Sequence, residues 1–307
     1  MSQQTTTSNN DPTNDEILQK QLIARYNPGR FVTTSGHCES GRFGTIFSVH
    51  DTSTKTDLVL KCQQRLDLFK REKEVLEIMK GDFHFPQMVE YFGIVNPPNV
   101  INYSIAMTKE GESIQKLMGG RPTCWSIGNC VRLLYQLVEA VQALHNLGYC
   151  HRDLHVGNVT IKRESDGGLT VKLIDFNGAV KLDPPPYPTC VMTTWQASLQ
   201  VCQGMPFTCY DDLTSAVFIL LKVRNIDPFE NYEQLTESKK SFDQNPHVWF
   251  GEDIMWIAKI YVAIQKQRSR GIDYSGLLGM LRIAVPGINP LSPMDYRTTR
   301  GNPIVML

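Results

Sequence analysis

Apolar residues follow two rhythms along this chain of 307 residues, and the change of rhythm divides it. In the first third, short apolar runs alternate with glycines and polar turns. Phe31-Val32, Ile46-Phe47 and Leu58-Val59-Leu60 read as strands, with turns at Gly36 and Ser40-Gly41 between the first two. Met88–Val95 and Tyr103–Met107 are β-like as well. One helix interrupts them, from about Leu68 to Lys80, with Gly81 as its stop. From about Ser126 the period becomes helical: Leu134, Leu137, Val138, Val141 and Leu144 share a face, and Gly148 ends the run. Two strands are expected next, Asn158–Lys162 and Thr170–Phe176, about the turn Asp166-Gly167-Gly168. Pro184-Pro185-Pro186-Tyr187-Pro188 forces a loop. Further helices are expected over Leu213–Val223, with Asp211-Asp212 capping it, over Asp253–Gln267 and over Tyr274–Ile283.

The pattern implies an α+β chain in two parts. Residues 1–15 form a polar tail expected to be disordered, and residues 16–107 a small β-rich lobe with one helix. Residues 108–295 form a larger, mainly helical lobe, joined through a hinge at about 108–112. Residues 296–307 are a tail.

Charge and composition narrow the function. Lys plus Arg and Asp plus Glu number 31 each, so the basic excess of a nucleic-acid-binding protein is missing and no such partner is expected. Ala216–Leu221 is far too short an apolar run to span a membrane, and the N-terminal MSQQTTTSNNDPTND lacks a secretory layout. The eight cysteines form no C-x-x-C pair and no zinc-ligand spacing, so reduced thiols are expected. His37, His50, His84, His145 and His247 form no ligand pattern either. The expectation is a soluble, intracellular monomer of the cytoplasm or nucleus.

Candidate chemistry concentrates in YCHRDLHVGNVTIKRESDGGLTVKLIDFNGAV, residues 149–180. It holds His151-Arg152-Asp153, then Asn158 five positions past the aspartate, then Asp175 closing an apolar run. Outside it, Glu72 falls on the apolar face of the first helix with Leu68, Leu76 and Met79. A carboxylate there needs a cation, which Lys61 at the end of Leu58-Val59-Leu60 can supply; an exposed Glu72 on an imperfect helix is the competing reading. Ser40-Gly41-Arg42-Phe43-Gly44 lies upstream, where glycines would let backbone N–H groups approach phosphate oxygens.

The H-R-D-x-x-x-x-N loop followed by Ile174-Asp175-Phe176 resembles the catalytic signature of protein kinases. Over roughly residues 30–285 the chain is similar to the casein kinase 1 family in particular. Thr194-Trp195-Gln196-Ala197-Ser198, Gly204 and Asp211-Asp212-Leu213 resemble that family's T-A-R-Y-A-S…G…D-D-L run. Asp273-Tyr274-Ser275-Gly276-Leu277 resembles its D-Y-x-x-L, and Glu72-Lys73-Glu74…Met79-Lys80-Gly81 its E-S-K…M-M-Q-G helix. The resemblance implies a two-lobed kinase fold, ATP and Mg²⁺ as cofactors, and protein substrates phosphorylated on Ser or Thr. It implies that Asp153 accepts or orients the hydroxyl proton, that Asn158 and Asp175 hold Mg²⁺, and that Glu72 orients Lys61 on the phosphates. Ser40, Gly41, Phe43, Gly44 and Ile46 would cover the nucleotide, with Met107 as gatekeeper and Thr108 to Glu110 as the hinge at adenine. Asp212 would brace the catalytic loop through its backbone, and His151 would be a packed scaffold residue.

The chain departs from the pattern at four places. Glu39 replaces the first glycine of the phosphate loop, and His155 replaces the lysine two residues after the catalytic aspartate. Asn177 replaces the glycine after Asp-Phe, as the non-glycine residue that best tolerates left-handed backbone. Cys209-Tyr210 replaces an arginine pair, after a shortened activation loop. Glu39, His155 and Asn177 keep open a catalytically weak or inactive, nucleotide-binding scaffold. His151-x-Asp153-Leu154-His155-x-Gly157-Asn158 also resembles the H-G-D-L-H-P-G-N loop of aminoglycoside and choline kinases, which keeps open a small-molecule phosphotransferase.

Overall fold

The computed structural model describes residues 17, 20, 21, 23, 25, 29–41, 44–96, 100–119, 124–183, 194–229, 232–298 and 304–306. The expected disordered tail, Phe43 and the proline loop at 184–188 lie outside them. The chain divides into two compact units, one running to Lys80 and including Gln87–Lys109, the other made of Gly81–Pro86 and the chain from Glu110 onward.

The first unit is an antiparallel sheet of β1 (Phe31–Gly41), β2 (Gly44–Asp51), β3 (Thr56–Gln63), β4 (Met88–Asn96) and β5 (Val100–Thr108), ordered β1-β2-β3-β5-β4. In β2 the alternation of a half-buried sheet is complete, with Thr45, Phe47, Val49 and Asp51 inside. Phe47 and Val49 join Phe31, Leu58, Leu60, Phe92 and Ala106 in the core. Gly36 is not at a turn, as its sequence suggested. It lies within β1, where the register against β2 shifts between Thr33 and Cys38, so a bulge absorbs the extra residues. Helix α1 (Leu66–Ile78) buries Leu68, Phe69, Glu72, Val75 and Leu76, and Gly81 follows it at φ +88°.

The second unit is mostly helical. Its longest helix, α3 (Ile127–Asn146), follows β6 (Glu112–Ser113) and α2 (Ile114–Met118). Ser126 caps α3 by accepting from Asn129 N, and its apolar positions are buried along most of its length. Next come β7 (Tyr149–Cys150), β8 (Val159–Arg163), β9 (Leu169–Leu173), the 3₁₀ turn Phe176–Gly178 and β10 (Val180–Lys181). Small sheets β6-β8-β9 and β7-β10 hold these segments. Strand β9 ends at Leu173 and not at Phe176, because Asp175 takes a left-handed backbone (φ +65°) that a strand cannot continue through.

Helices α4 (Leu199–Cys202), α5 (Cys209–Val223), α6 (Leu235–Gln244), α7 (Met255–Gln267) and α8 (Tyr274–Arg282) complete the unit. Helix α5 starts earlier than expected. Thr208 is its cap, and Asp211 reaches back to accept from the Thr208 amide (2.6 Å) and hydroxyl (2.7 Å), so the acidic pair lies within the first turn. Phe218, Phe229, Phe242 and Tyr261 meet edge to face or stacked around α5–α7. The C-terminal residues include a short ladder, β11 (Tyr296–Thr298) with β12 (Ile304–Met306), which the sequence pattern did not predict. No helix among the described residues is long and apolar enough to cross a membrane.

Candidate functional site

In the first unit, Lys61 and Glu72 meet. Register places Lys61 on β3 between Ile46 of β2 and Ile105 of β5, and α1 presents Glu72 from its buried face. The Lys61 ammonium is 2.8 Å from each Glu72 carboxylate oxygen, and the residues are only 4% and 1% exposed. Gln63 Nε2 donates to the same carboxylate at 3.4 Å. The exposed-Glu72 reading is therefore excluded.

Ile46, directly across the ladder from Lys61, is half buried. Ser40 pairs with Thr45 and Gly41 with Gly44, which carries the β1–β2 register to the ends of both strands. Gly44 has φ +148°, and a β-carbon there would stand 2.3 Å from the Cys62 carbonyl oxygen; only glycine fits. Met107 is buried on β5 opposite Val59, and Thr108 exchanges hydrogen bonds with Gln87, donating its amide (2.9 Å) and accepting at its hydroxyl (2.7 Å). Glu110 belongs to the second unit, where its buried carboxylate accepts from Lys162 Nζ at 3.0 Å. Its side chain is thereby committed to β8.

In the second unit, the backbone of the 151–158 loop is fixed from below. The Asp212 carboxylate accepts from His151 N (2.7 Å) and Arg152 N (3.0 Å), the second at a left-handed φ of +69°. His151 is fully buried, as a scaffold residue should be. Its Nε2 donates to the Ile174 carbonyl (3.1 Å), its Nδ1 faces Asp153 N (3.4 Å), and its ring lies 5.2 Å from that of Phe176.

Asp153 remains partly exposed (27%). Asn158 Nδ2 donates to the Asp153 carbonyl (2.9 Å) and approaches Oδ2 (3.5 Å), which turns the Asn158 amide oxygen away from Asp153. Gln196 Nε2 reaches Asp153 Oδ1 at 3.4 Å. Sequence reasoning did not assign Gln196 this place, although it lies in the Thr194–Ser198 run already singled out. Ile174 N bonds Asn158 O (3.0 Å), tying the segment that carries Asp175 to the one that carries Asn158. Asp175 caps the 3₁₀ turn by accepting from Asn177 N at 3.3 Å. The left-handed residue here is Asp175 and not Asn177, which is buried inside the turn; Gly178 makes the close approach, 3.3 Å from its would-be β-carbon to the His151 carbonyl.

His155 folds back over its own loop. Gly157 N donates to its Nδ1 (2.9 Å), so in the neutral ring Nε2 carries the proton, 3.9 Å from Asp153 Oδ2. Burial holds the imidazole below its ordinary pKa despite the nearby aspartates. Burial thus favours the neutral, proton-donating form of the ring.

These donors suit a nucleotide and a hard divalent ion. Asp153 and Asp175 offer carboxylate oxygens, and the Asn158 amide is oriented by its own N–H bond to present its oxygen.

The protein kinase domain profile matches residues 34–269, and the chain belongs to that family. It is 27% identical over 228 residues to the serine/threonine-protein kinase spe-6 of Caenorhabditis elegans, covering 67% of this chain and 58% of that one. A putative casein kinase I of Caenorhabditis elegans is 25% identical, covering 58% of this chain and 55% of its own. A probable casein kinase I homolog of Encephalitozoon cuniculi is 26% identical, with 66% and 72% covered. The chain thus spans less than two thirds of the two nematode relatives.

Proposed function

We propose that this chain is an ATP-dependent serine/threonine protein kinase of casein kinase 1 type. The observation that carries the reading is the set Asp153, Asn158 and Asp175, held in one hydrogen-bonded loop system whose backbone is anchored on Asp212. The casein kinase I names among its relatives, together with the D-D-L and D-Y-x-x-L runs, support the subfamily.

In this reading the Asp153 carboxylate accepts the proton of a protein Ser or Thr hydroxyl, oriented by Gln196 and Asn158. Lys61, positioned by Glu72, donates to phosphate oxygens of ATP. The Asn158 amide oxygen and the Asp175 carboxylate hold Mg²⁺, which when bound offsets the negative charge on those oxygens. Gly41, Gly44 and the neighbouring backbone of Ser40 line the phosphates; Ile46 and Met107 pack on adenine, and the 108–110 backbone supplies its hydrogen bonds. The Glu110 side chain takes no part, being paired with Lys162.

The test is transfer of radiolabelled γ-phosphate from ATP to mixed protein substrates, with Asp153→Asn as control. Transfer by the native chain and its loss in the variant are expected; equal counts in both proteins refute the reading. One observation favours a weaker enzyme or a nucleotide-binding scaffold: burial disfavours the charged form of His155, which stands where the family carries a lysine. A thermal shift with Mg-ATP but no counts above the Asp153→Asn control would establish that second reading.

A further inference from the structure

Away from the groups assigned to phosphoryl transfer, three residues that no spacing rule connects come together. His145 near the end of α3, Cys150 on β7 and Cys209 at the first position of α5 place their Nδ1 or Nε2 and Sγ atoms within 4.8 Å of one another. The two sulfurs are 3.8 Å apart, with the Cys150 thiol directed at Cys209. Cys150 is fully buried; Cys209 is half buried and lines a pocket of about 390 Å³ walled by Leu182, Phe207, Ile272 and Tyr274. One thiol thus faces an opening and the other lies behind it.

We propose that Cys209 is a peroxide-reactive thiol whose oxidised form is resolved by Cys150, closing a disulfide between the start of α5 and β7. Three features stabilise a Cys209 thiolate. The Cys150 S–H donates to it, the His145 ring stands beside it, and the N-terminal end of the fifteen-residue helix α5 presents the positive end of its dipole. The first two hold the Cys209 pKa down at about 6 against its burial, and the Asp212 carboxylate, 2.9 Å from His145 Nε2, together with Cys209 raises the imidazole to about 9 against its own burial. The pair is therefore thiolate and imidazolium at neutral pH. The other groups facing Cys209 are Asp212 of its own helix, which opposes ionisation, and the phenols of Tyr210 and Tyr274. Tyr274 also hydrogen-bonds His145 Nδ1.

The chemistry balances as follows. The Cys209 thiolate attacks one oxygen of a hydroperoxide; an S–O bond forms, the O–O bond breaks, and the leaving alkoxide takes a proton from the imidazolium or water. Cys150 then attacks the sulfenic sulfur, the S–S bond forms, and the oxygen leaves as water with the Cys150 proton. Two thiols have given two electrons to one peroxide bond. Bonding requires the sulfurs to close from 3.8 Å to about 2.05 Å.

The experiment is titration of the full chain with hydrogen peroxide, read by intact mass and peptide mapping. The native protein should lose two hydrogens and yield a Cys150–Cys209 linked peptide. Cys150→Ser should instead retain a sulfenic acid at Cys209 that a 1,3-dione captures, and Cys209→Ser should leave Cys150 reduced. Alkylation of native Cys209 should show a pH midpoint near 6, with the exposed Cys124 marking a solvent-facing thiol in the same chain. The midpoint is the diagnostic, since a less basic thiolate is also a weaker nucleophile and the rate at neutrality changes little. His145→Gln should move that midpoint upward by about one unit or more. Recovery of both thiols after peroxide, or a midpoint above about 8, overturns the proposal. So does isolated protein carrying stoichiometric zinc whose chelation frees these two thiols, which would make the cluster a metal site. None of these readouts depends on phosphoryl transfer.

Discussion

Replacing Lys61 by methionine leaves the Glu72 carboxylate, 1% exposed, without the ammonium now 2.8 Å away. The Gln63 amide at 3.4 Å is a poor substitute for a full charge. Breaking a buried pair from one side typically destabilises by about 3–5 kcal/mol, whereas exchanging both partners for apolar residues of similar volume is neutral or stabilising. Lys61→Met and Glu72→Leu should therefore each lower stability by about 3–5 kcal/mol, and the double change should restore most of it. A coupling above about 3 kcal/mol is expected, against an additivity error of about 0.5 kcal/mol for independent sites. Urea unfolding measures the change, with amide exchange in α1 reading it in the unit that holds the pair. Phosphate transfer should be lost in all three variants, the restored double included, so that stability and activity part company. Single changes that add within about 0.5 kcal/mol would show a pair screened by water and refute the reasoning.

Two other outcomes follow from buried or displaced basic groups. His155→Lys should leave nucleotide affinity near the native value and raise the transfer rate, because a lysine keeps its charge where burial disfavours the charged imidazole; an unchanged or lowered rate in the radiolabel assay refutes it. Lys239 is 1% exposed, donates to the Trp195 carbonyl (2.8 Å) and lies 4.0 Å and 4.4 Å from the Phe229 and Phe218 ring centres. Burial lowers its pKa to about 7, while the unfolded lysine titrates near 10.4. Between those values the unfolded chain binds about one more proton than the folded one, so stability rises with pH. The slope is up to about 1.4 kcal/mol per pH unit, less whatever the rings give back to the cation. Lys239→Met should flatten that slope in urea midpoints taken from pH 7 to 9; an unaltered slope refutes it.

Residues adjacent in sequence were the legible ones. His151, Asp153 and Asn158 lie within eight positions, and a loop that short can bring their groups together only in a few ways. Glu72 was legible for a different reason: helical period put a carboxylate among Leu68 and Leu76, and the energy of burying it demanded a cation nearby. Gly81 marked the end of α1, expected at Lys80 and found at Ile78, and period also gave the core of α3. It failed where backbone geometry overrides apolar content. Gly36 lies in a bulge instead of making a turn, and Asp175 turns left-handed within the segment expected to be a strand to Phe176.

What no local pattern could give was contact between distant positions. Cys209 and Cys150 are 59 residues apart, and a scan for metal or disulfide spacing passes over both. Lys239 belongs to Thr236-Glu237-Ser238-Lys239-Lys240, a polar stretch for which no element was expected from sequence, yet it is among the most buried side chains. The same blindness affects His155. Its identity marks a departure from the family pattern, but burial lowers its pKa and the Gly157 N–H fixes the tautomer of its neutral ring. A β-carbon at 157 would stand 2.7 Å from the ring and displace it. Residue type announced the chemistry available to this loop; the backbone beside it decided which ring nitrogen carries the proton.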